Sequence, residues 1–153
     1  MPKLPATTRT VSRTTTATPD EVFAVLADGW SYAIWVVGAS RVRAVDPTWP
    51  ATGSHIHHSF GMWPMVIDDV STVLEVEPGR RLRLQAKGHP VGEATVEVTL
   101  HPEREGCRVE IREDATKGPG TLVPAPLRQL GIVPRNVEAL RRLCLVAEGR
   151  SRS

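Results

Sequence analysis

Arg81-Leu82-Arg83-Leu84-Gln85-Ala86-Lys87 and, after a turn, Ala94-Thr95-Val96-Glu97-Val98-Thr99-Leu100 decide the fold class of this chain. Leu82, Leu84 and Ala86, then Ala94, Val96, Val98 and Leu100, fall on one side of an extended backbone, with Arg83, Gln85, Lys87, Thr95 and Glu97 on the other. A period of two with one apolar side is the mark of antiparallel strands that meet a core on one face only. Gly88 to Gly92 supplies the turn residues that join them.

The same period runs outward in both directions. Upstream lie Val42 and Ala44, the run His55 to Phe60, and Val70, Thr72, Leu74 and Val76; downstream lie Val109 and Ile111, with Arg41, Arg43, Arg108, Glu110 and Arg112 on the polar side. Pro47 to Gly53, Pro78 to Arg80 and His101 to Gly106 are turn-rich connections, so six strands are expected between Ser40 and Thr116. Before them, Arg9 to Ala17 has the Thr and Val content of an edge strand. Thr18-Pro19-Asp20-Glu21 is a capping box with proline at the first helical position, opening a helix whose apolar side is Val22, Phe23, Val25 and Leu26. Asp28 and Gly29 end it, and Trp30 to Val37 reads as a second short helix.

Lys117 to Gly131 is rich in Gly and Pro yet too apolar, at Leu122, Val123, Leu127 and Leu130, for a solvated linker; it reads as a lid. Pro134 is expected to open a final helix of roughly fifteen residues, about 22 Å long, with Val137, Leu140, Leu143, Cys144 and Ala147 on its apolar stripe and Gly149 as its cap. The tail from Arg150 to Ser153 should fray.

Strand, two short helices, six strands and a long helix predict an α+β fold: a curved antiparallel β-sheet of about seven strands wrapped around the C-terminal helix. One helix, about 10 Å wide, cannot fill the concave face of such a sheet, so a cavity between them is expected.

The 153 residues suit a single domain, 1–153, with a core over about 8–149 and flexible ends at 1–7 and 150–153. With 41% hydrophobic and 24% charged residues the composition is that of an ordinary globular protein, and no apolar run could span a bilayer. Met1 to Arg13 lacks the apolar stretch of a secretory signal, which makes the cytoplasm the expected compartment. Cys107 and Cys144 are isolated and expected to be reduced. The net charge of +2 is spread along the chain, and the arginines from Arg135 to Arg152 read as the solvated face of a helix, so nucleic acid is not an expected partner; a homodimer is compatible with the sequence.

Thr18 to Leu26, Pro47 to Pro64 and Arg135 to Glu148 resemble the SRPBCC superfamily, which includes START-like, pollen-allergen-like and polyketide cyclase/dehydrase proteins; the resemblance runs from about Thr8 to Glu148. It implies a helix-grip fold with an apolar cavity beneath the long helix. Members include lipid and hormone carriers, aromatase/cyclases, ubiquinone-binding proteins and chaperone activators, so the resemblance implies a fold and not one activity. No catalytic motif transfers residue by residue.

In the histidine run, Ile56, His58 and Phe60 share one side and His55, His57 and Ser59 the other. If the apolar residues mark the interior, His58 is the inward histidine; a bulge near Gly61 would reverse that phase. His55 and His57 could act as a metal pair, but Asp68 and Asp69 are weak third ligands, and neither metal nor cofactor is expected. Glu113 shares the phase of Val109 and Ile111 and should face inward; Asp68, in phase with Val70 and Thr72, should do likewise, while Asp69 and Asp114 face out. An inward carboxyl in apolar surroundings could move a proton or be held by an arginine.

Trp30, Tyr32, Trp35, Trp49, Met62 and Trp63 supply core, and some of them could form an aromatic wall. The expected proton-moving groups are therefore His58, Glu113 and Tyr32. The expected ligand wall is His57, Phe60, Met62, Trp63, Trp35, Asp68, Leu84, Val98, Leu122, Leu140 and Cys144. Three functions fit: binding of a small apolar or aromatic metabolite or lipid, a polyketide cyclase/aromatase or dehydratase, and a protein-interaction module.

Overall fold

A computed structural model describes residues 3–62, 64–88 and 92–153. The chain runs β1 (Thr10–Thr15), α1 (Pro19–Ala27), a 3-10 turn (Gly29–Ser31), α2 (Tyr32–Trp35), β2 (Ala39–Val45), β3 (His55–Phe60), β4 (Ile67–Glu77), β5 (Arg81–Gly88), β6 (Gly92–Glu103), β7 (Gly106–Lys117), a second 3-10 turn (Pro119–Leu122) and α3 (Ala125–Ser151). The strands form one seven-stranded antiparallel sheet in the order β1-β7-β6-β5-β4-β3-β2. This is the helix-grip architecture, with α3 packed against α1, α2, β1 and β7.

Local chemistry sets the ends of α1. The Glu21 N–H donates to Thr18 Oγ1 at 3.2 Å and the Thr18 N–H donates to Glu21 Oε1 at 2.9 Å, which completes the capping box. Val22, Val25 and Leu26 enter the core with Ile56, Val73, Leu82, Leu84, Val98, Leu100, Val109 and Ile111 from the sheet and Leu140, Leu143, Cys144 and Ala147 from α3. Cys107 and Cys144 are free and buried. Among the described residues no helix is long and apolar enough to cross a membrane.

Four expectations about α3 are corrected. It begins at Ala125, so Pro134 lies inside it rather than opening it, and its 27 residues span about 40 Å. Proline has no N–H for the carbonyl of Leu130, a loss that ordinarily ends a helix. Here tertiary bonds hold the preceding turns: the Gln129 Nε2 donates to the Glu113 carbonyl at 2.9 Å, the Arg9 N–H donates to Gln129 Oε1 at 3.1 Å, and Arg128 grips Asp114. Gly149 is internal, and Arg150 is no frayed tail, since its guanidinium donates to Asp28 Oδ2 at 3.0 Å and Ser31 Oγ at 2.6 Å. The stripe shifts too, for Asn136 is buried and Val137 half-exposed.

A second correction concerns β4. The residues buried there are Asp69, Ser71 and Val73, not Val70 and Thr72, and Asp68 faces outward, where Arg43 lies 3.5 Å from it. The cause is a β-bulge: Val73 pairs with Leu84 and Val76 with Leu82, so the ladder skips a residue between Val73 and Glu75. A bulge flips the phase on one side of it. Counting back from inward Val76 in twos therefore lands on the wrong face beyond Leu74. In β3, by contrast, Ile56 and His58 are fully buried and inward as the apolar phase implies.

Candidate functional site

The inner face of the sheet changes character along its strands. From the middle toward one end, β5 runs from Leu82 and Leu84 to Ala86, β6 from Leu100 and Val98 to Ala94, and β7 from Val109 and Ile111 to Glu113 and Ala115. Ala86 pairs with Ala94 and Ala94 with Ala115, so three small side chains lie side by side across neighbouring strands. Large residues fill the space beneath the C-terminal half of α3, and small ones leave it open beneath the N-terminal half. The result is a mainly apolar pocket of about 500 Å³, lined by Phe60, Ile67, Asp69, Ala86, Gly92, Glu93, Ala94, Glu113, Ala115, Gly120, Val123, Arg128, Ile132 and Arg135.

Gly92 makes one wall possible. Its φ is +118°, and a Cβ there would lie 2.1 Å from the Lys117 carbonyl oxygen. Only glycine lets β6 and β7 approach this closely at the rim.

The roof is held by charge. The Arg128 Nε and Nη2 donate to the two oxygens of Asp114 at 2.8 and 3.0 Å, and Arg135 donates to Glu113. Asp114 is fully buried, which corrects the expectation that it faces solvent: a turn of α3 covers it. Burial would raise its pKa, but the Arg128 hydrogen bonds and charge and the Ala115 N–H hold it below the ordinary carboxylate value. Asp69, also expected to face out, lines the pocket. Burial pushes its pKa up to about 6, opposed in part by the Val70 N–H and the Lys87 charge.

Behind the pocket, Ser71 Oγ lies 3.0 Å from His58 Nε2 and 2.8 Å from the Tyr32 hydroxyl. Desolvation, with the charges of Arg43 and His57, lowers the His58 pKa to about 4, so the ring is neutral at physiological pH. Burial raises the Tyr32 pKa well above its ordinary value. His58 Nδ1 is buried with no partner among the described residues.

Of the groups expected from sequence, Phe60 and Glu113 line the pocket. His58 and Tyr32 are joined to each other through Ser71 and enclosed, and Trp35, Leu84, Val98, Leu140 and Cys144 belong to the packed core. His57 lies on the outer face of β3; Met62 and Leu122 are each 84% exposed. Trp63 lies outside the described residues. The lid segment does cover the pocket, through Gly120, Val123 and Arg128, but as a 3-10 turn and the start of α3. His55 Nδ1 is 3.0 Å from Asp46 Oδ2, and among the described residues no three metal-ligating side chains converge. The residues that sequence reading missed, Asp69, Arg128, Ile132 and Arg135, had one usable signal nearby: the large-to-small gradient ending in Ala86, Ala94 and Ala115.

A sheet gripping one long helix, with a pocket under the helix's N-terminal half, defines a helix-grip protein of the START-like class. The chain belongs to the family described as polyketide cyclase / dehydrase and lipid transport, whose sequence model matches residues 6–145. Solved structures share its fold. The di-domain aromatase/cyclase StfQ from the steffimycin biosynthetic pathway superposes with a TM-score of 0.74 at 14% identity, over 96% of this chain and 52% of that one. A STAR-related lipid transfer protein from Xanthomonas axonopodis gives 0.68 at 20% identity, over 91% and 84%. Protein CV1439 from Chromobacterium violaceum gives 0.67 at 18% identity, over 91% and 96%. At these identities the likeness speaks to the fold alone. Comparison with curated proteins returns no match.

Proposed function

We propose that this protein binds a small apolar or aromatic molecule in the pocket beneath the N-terminal half of α3. The observation that carries the reading is the pocket itself: about 500 Å³, its walls mainly apolar, its floor built from Ala86, Ala94 and Ala115 where larger residues would have closed it. That volume lies within the range of small-ligand sites. Native mass spectrometry of protein purified from its own host should retain a compound of this class. Protein that comes off empty, and stays empty after incubation with a panel of aromatic and lipid compounds, refutes the proposal.

A second reading, polyketide cyclase/aromatase or dehydratase chemistry, draws support from one residue. Asp69 combines a place in the pocket wall with a pKa of about 6, which suits a carboxyl to exchange protons near neutral pH. Glu113, the carboxylate expected from sequence, is tied to Arg135. If the retained compound is altered on incubation, Asp69→Asn should abolish turnover and Glu113→Gln should weaken it less. Full turnover in Asp69→Asn removes the acid/base assignment, and a compound returned unchanged leaves binding as the function for it.

A further inference from the structure

Among the described residues five charged ones line the pocket, and four of them have an opposite charge in reach. Arg128 is bound to Asp114, Arg135 to Glu113, and Glu93 lies 3.6 Å from the Lys117 ammonium. Asp69 is the exception: among the described residues it forms no ion pair, and its carboxylate accepts a hydrogen bond from the N–H of Val70, at 2.7 Å. The arginines that would ordinarily attract an acidic ligand are thus neutralised, and among the described residues the wall retains one carboxyl without an ion-pair partner, on which the Lys87 charge acts only from beyond contact distance.

A second polar atom stands on the same inner face. His58 is the direct cross-strand partner of Asp69, so the two side chains are nearest neighbours across β3 and β4. With Nε2 directed at Ser71 Oγ, the neutral ring keeps its one proton there most cheaply, because the orphan at Nδ1 is then a lone pair rather than a buried N–H. Asp69 and His58 Nδ1 are both acceptors, buried and short of donors.

Resting on the pocket as the binding site, we infer that its polar end reads a hydrogen-bond donor: the ligand is an apolar or aromatic body bearing a hydroxyl that donates to Asp69, and carboxylate-bearing molecules such as free fatty acids are disfavoured. A ligand carboxylate would enter beside an unpaired acid, with both arginines already engaged. A hydroxyl would supply the donor that Asp69 lacks.

Three probes with one common body test this: naphthalene, 2-naphthol and 2-naphthoate, titrated into the full chain at neutral pH by calorimetry or by displacement of a fluorescent apolar dye. The expected order is 2-naphthol tightest, naphthalene weaker by about tenfold, the gain of one hydrogen bond to a charged acceptor, and 2-naphthoate weakest. Asp69→Asn, which keeps an oxygen for the Val70 N–H, should shrink the naphthol-over-naphthoate ratio by about tenfold. If 2-naphthoate binds as tightly as 2-naphthol in the wild-type protein, the inference is overturned while the pocket remains a binding site. An unchanged ratio in Asp69→Asn overturns the role of Asp69. If none of the three binds, the pocket reading falls and takes the inference with it.

Discussion

Replacing Arg128 with methionine tests how the roof of the pocket is held. Asp114 is fully buried, with both carboxylate oxygens engaged by the guanidinium at 2.8 and 3.0 Å, one of them also accepting the Ala115 N–H at 2.9 Å. Methionine keeps the aliphatic stem and removes the charge, which strands the carboxylate in the interior. Breaking a buried pair from one side costs about 3–5 kcal/mol. Arg128 retains 14% side-chain exposure, which places the expectation at the lower end, about 3 kcal/mol. With a urea m-value of about 2 kcal/mol/M, the unfolding midpoint should fall by about 1.5 M.

The loss should also depend on pH. A carboxyl held below its unfolded value contributes stability that is complete above about pH 4 and disappears as pH falls through the folded value. The gap between wild type and Arg128→Met should therefore narrow as the solution is acidified from about pH 7 to about pH 3. Adding Asp114→Asn to the variant removes the stranded charge and should recover about half of the loss. The assay is urea unfolding followed by tryptophan fluorescence at several pH values. An Arg128→Met midpoint within about 0.3 M of wild type, or a deficit that stays constant on acidification, refutes the account of Asp114 as a buried carboxylate held by Arg128.

Asp69 is the opposite case. An acid whose folded pKa, about 6, exceeds its unfolded value stabilises at low pH and loses that contribution as pH rises from about 4 to about 6, in a pocket whose other titratable or charged neighbours are His58, Lys87, Glu93, Glu113, Arg128 and Arg135; Asp69→Asn should gain about 2 kcal/mol over wild type by about pH 8, and a difference independent of pH speaks against it. For His58, nitrogen NMR should find a neutral ring protonated at Nε2 down to about pH 5, since its pKa is lowered to about 4; a ring that titrates near its ordinary value would mean that the Tyr32–Ser71–His58 cluster is open to water. Leu140→Ala, at a fully buried core position under the sheet, should cost about 2–5 kcal/mol in urea unfolding, whereas Leu122→Ser, at an 84% exposed one, should cost less than about 0.5 kcal/mol; equal costs would contradict the placement of these two residues.

The architecture was legible because it depends on local periodicity. Six alternating segments, a capping box at Thr18 and an amphipathic C-terminal segment each declare themselves within ten or so residues, and their order leaves the helix-grip arrangement as the natural packing. The inward direction of Glu113 followed from apolar neighbours two residues away on a strand that keeps its phase; that of His58 stayed conditional in the sequence on Ile56 and Phe60 marking the interior, and the structure buries it. Asp69 escaped because the bulge at Leu74 adds one residue to β4, and nothing in Val70 to Val76 distinguishes a bulged strand from a regular one.

The start of α3 escaped for a different reason. Pro134 removes a helical hydrogen bond, and the preceding turns persist only through partners on β7 and ahead of β1: Asp114, the Glu113 carbonyl and the Arg9 N–H. Those partners lie up to 120 residues away in sequence, at Arg9 and Gln129. The sequence by itself determined the order of strands and helices, though not where α3 begins, and led to the expectation of a cavity between sheet and helix. Only the tertiary structure decided where that cavity lies, which charges around it are neutralised and that Asp69 has no ion-pair partner among the described residues, because compensation between charges is a property of distances across the fold and not of order along the chain.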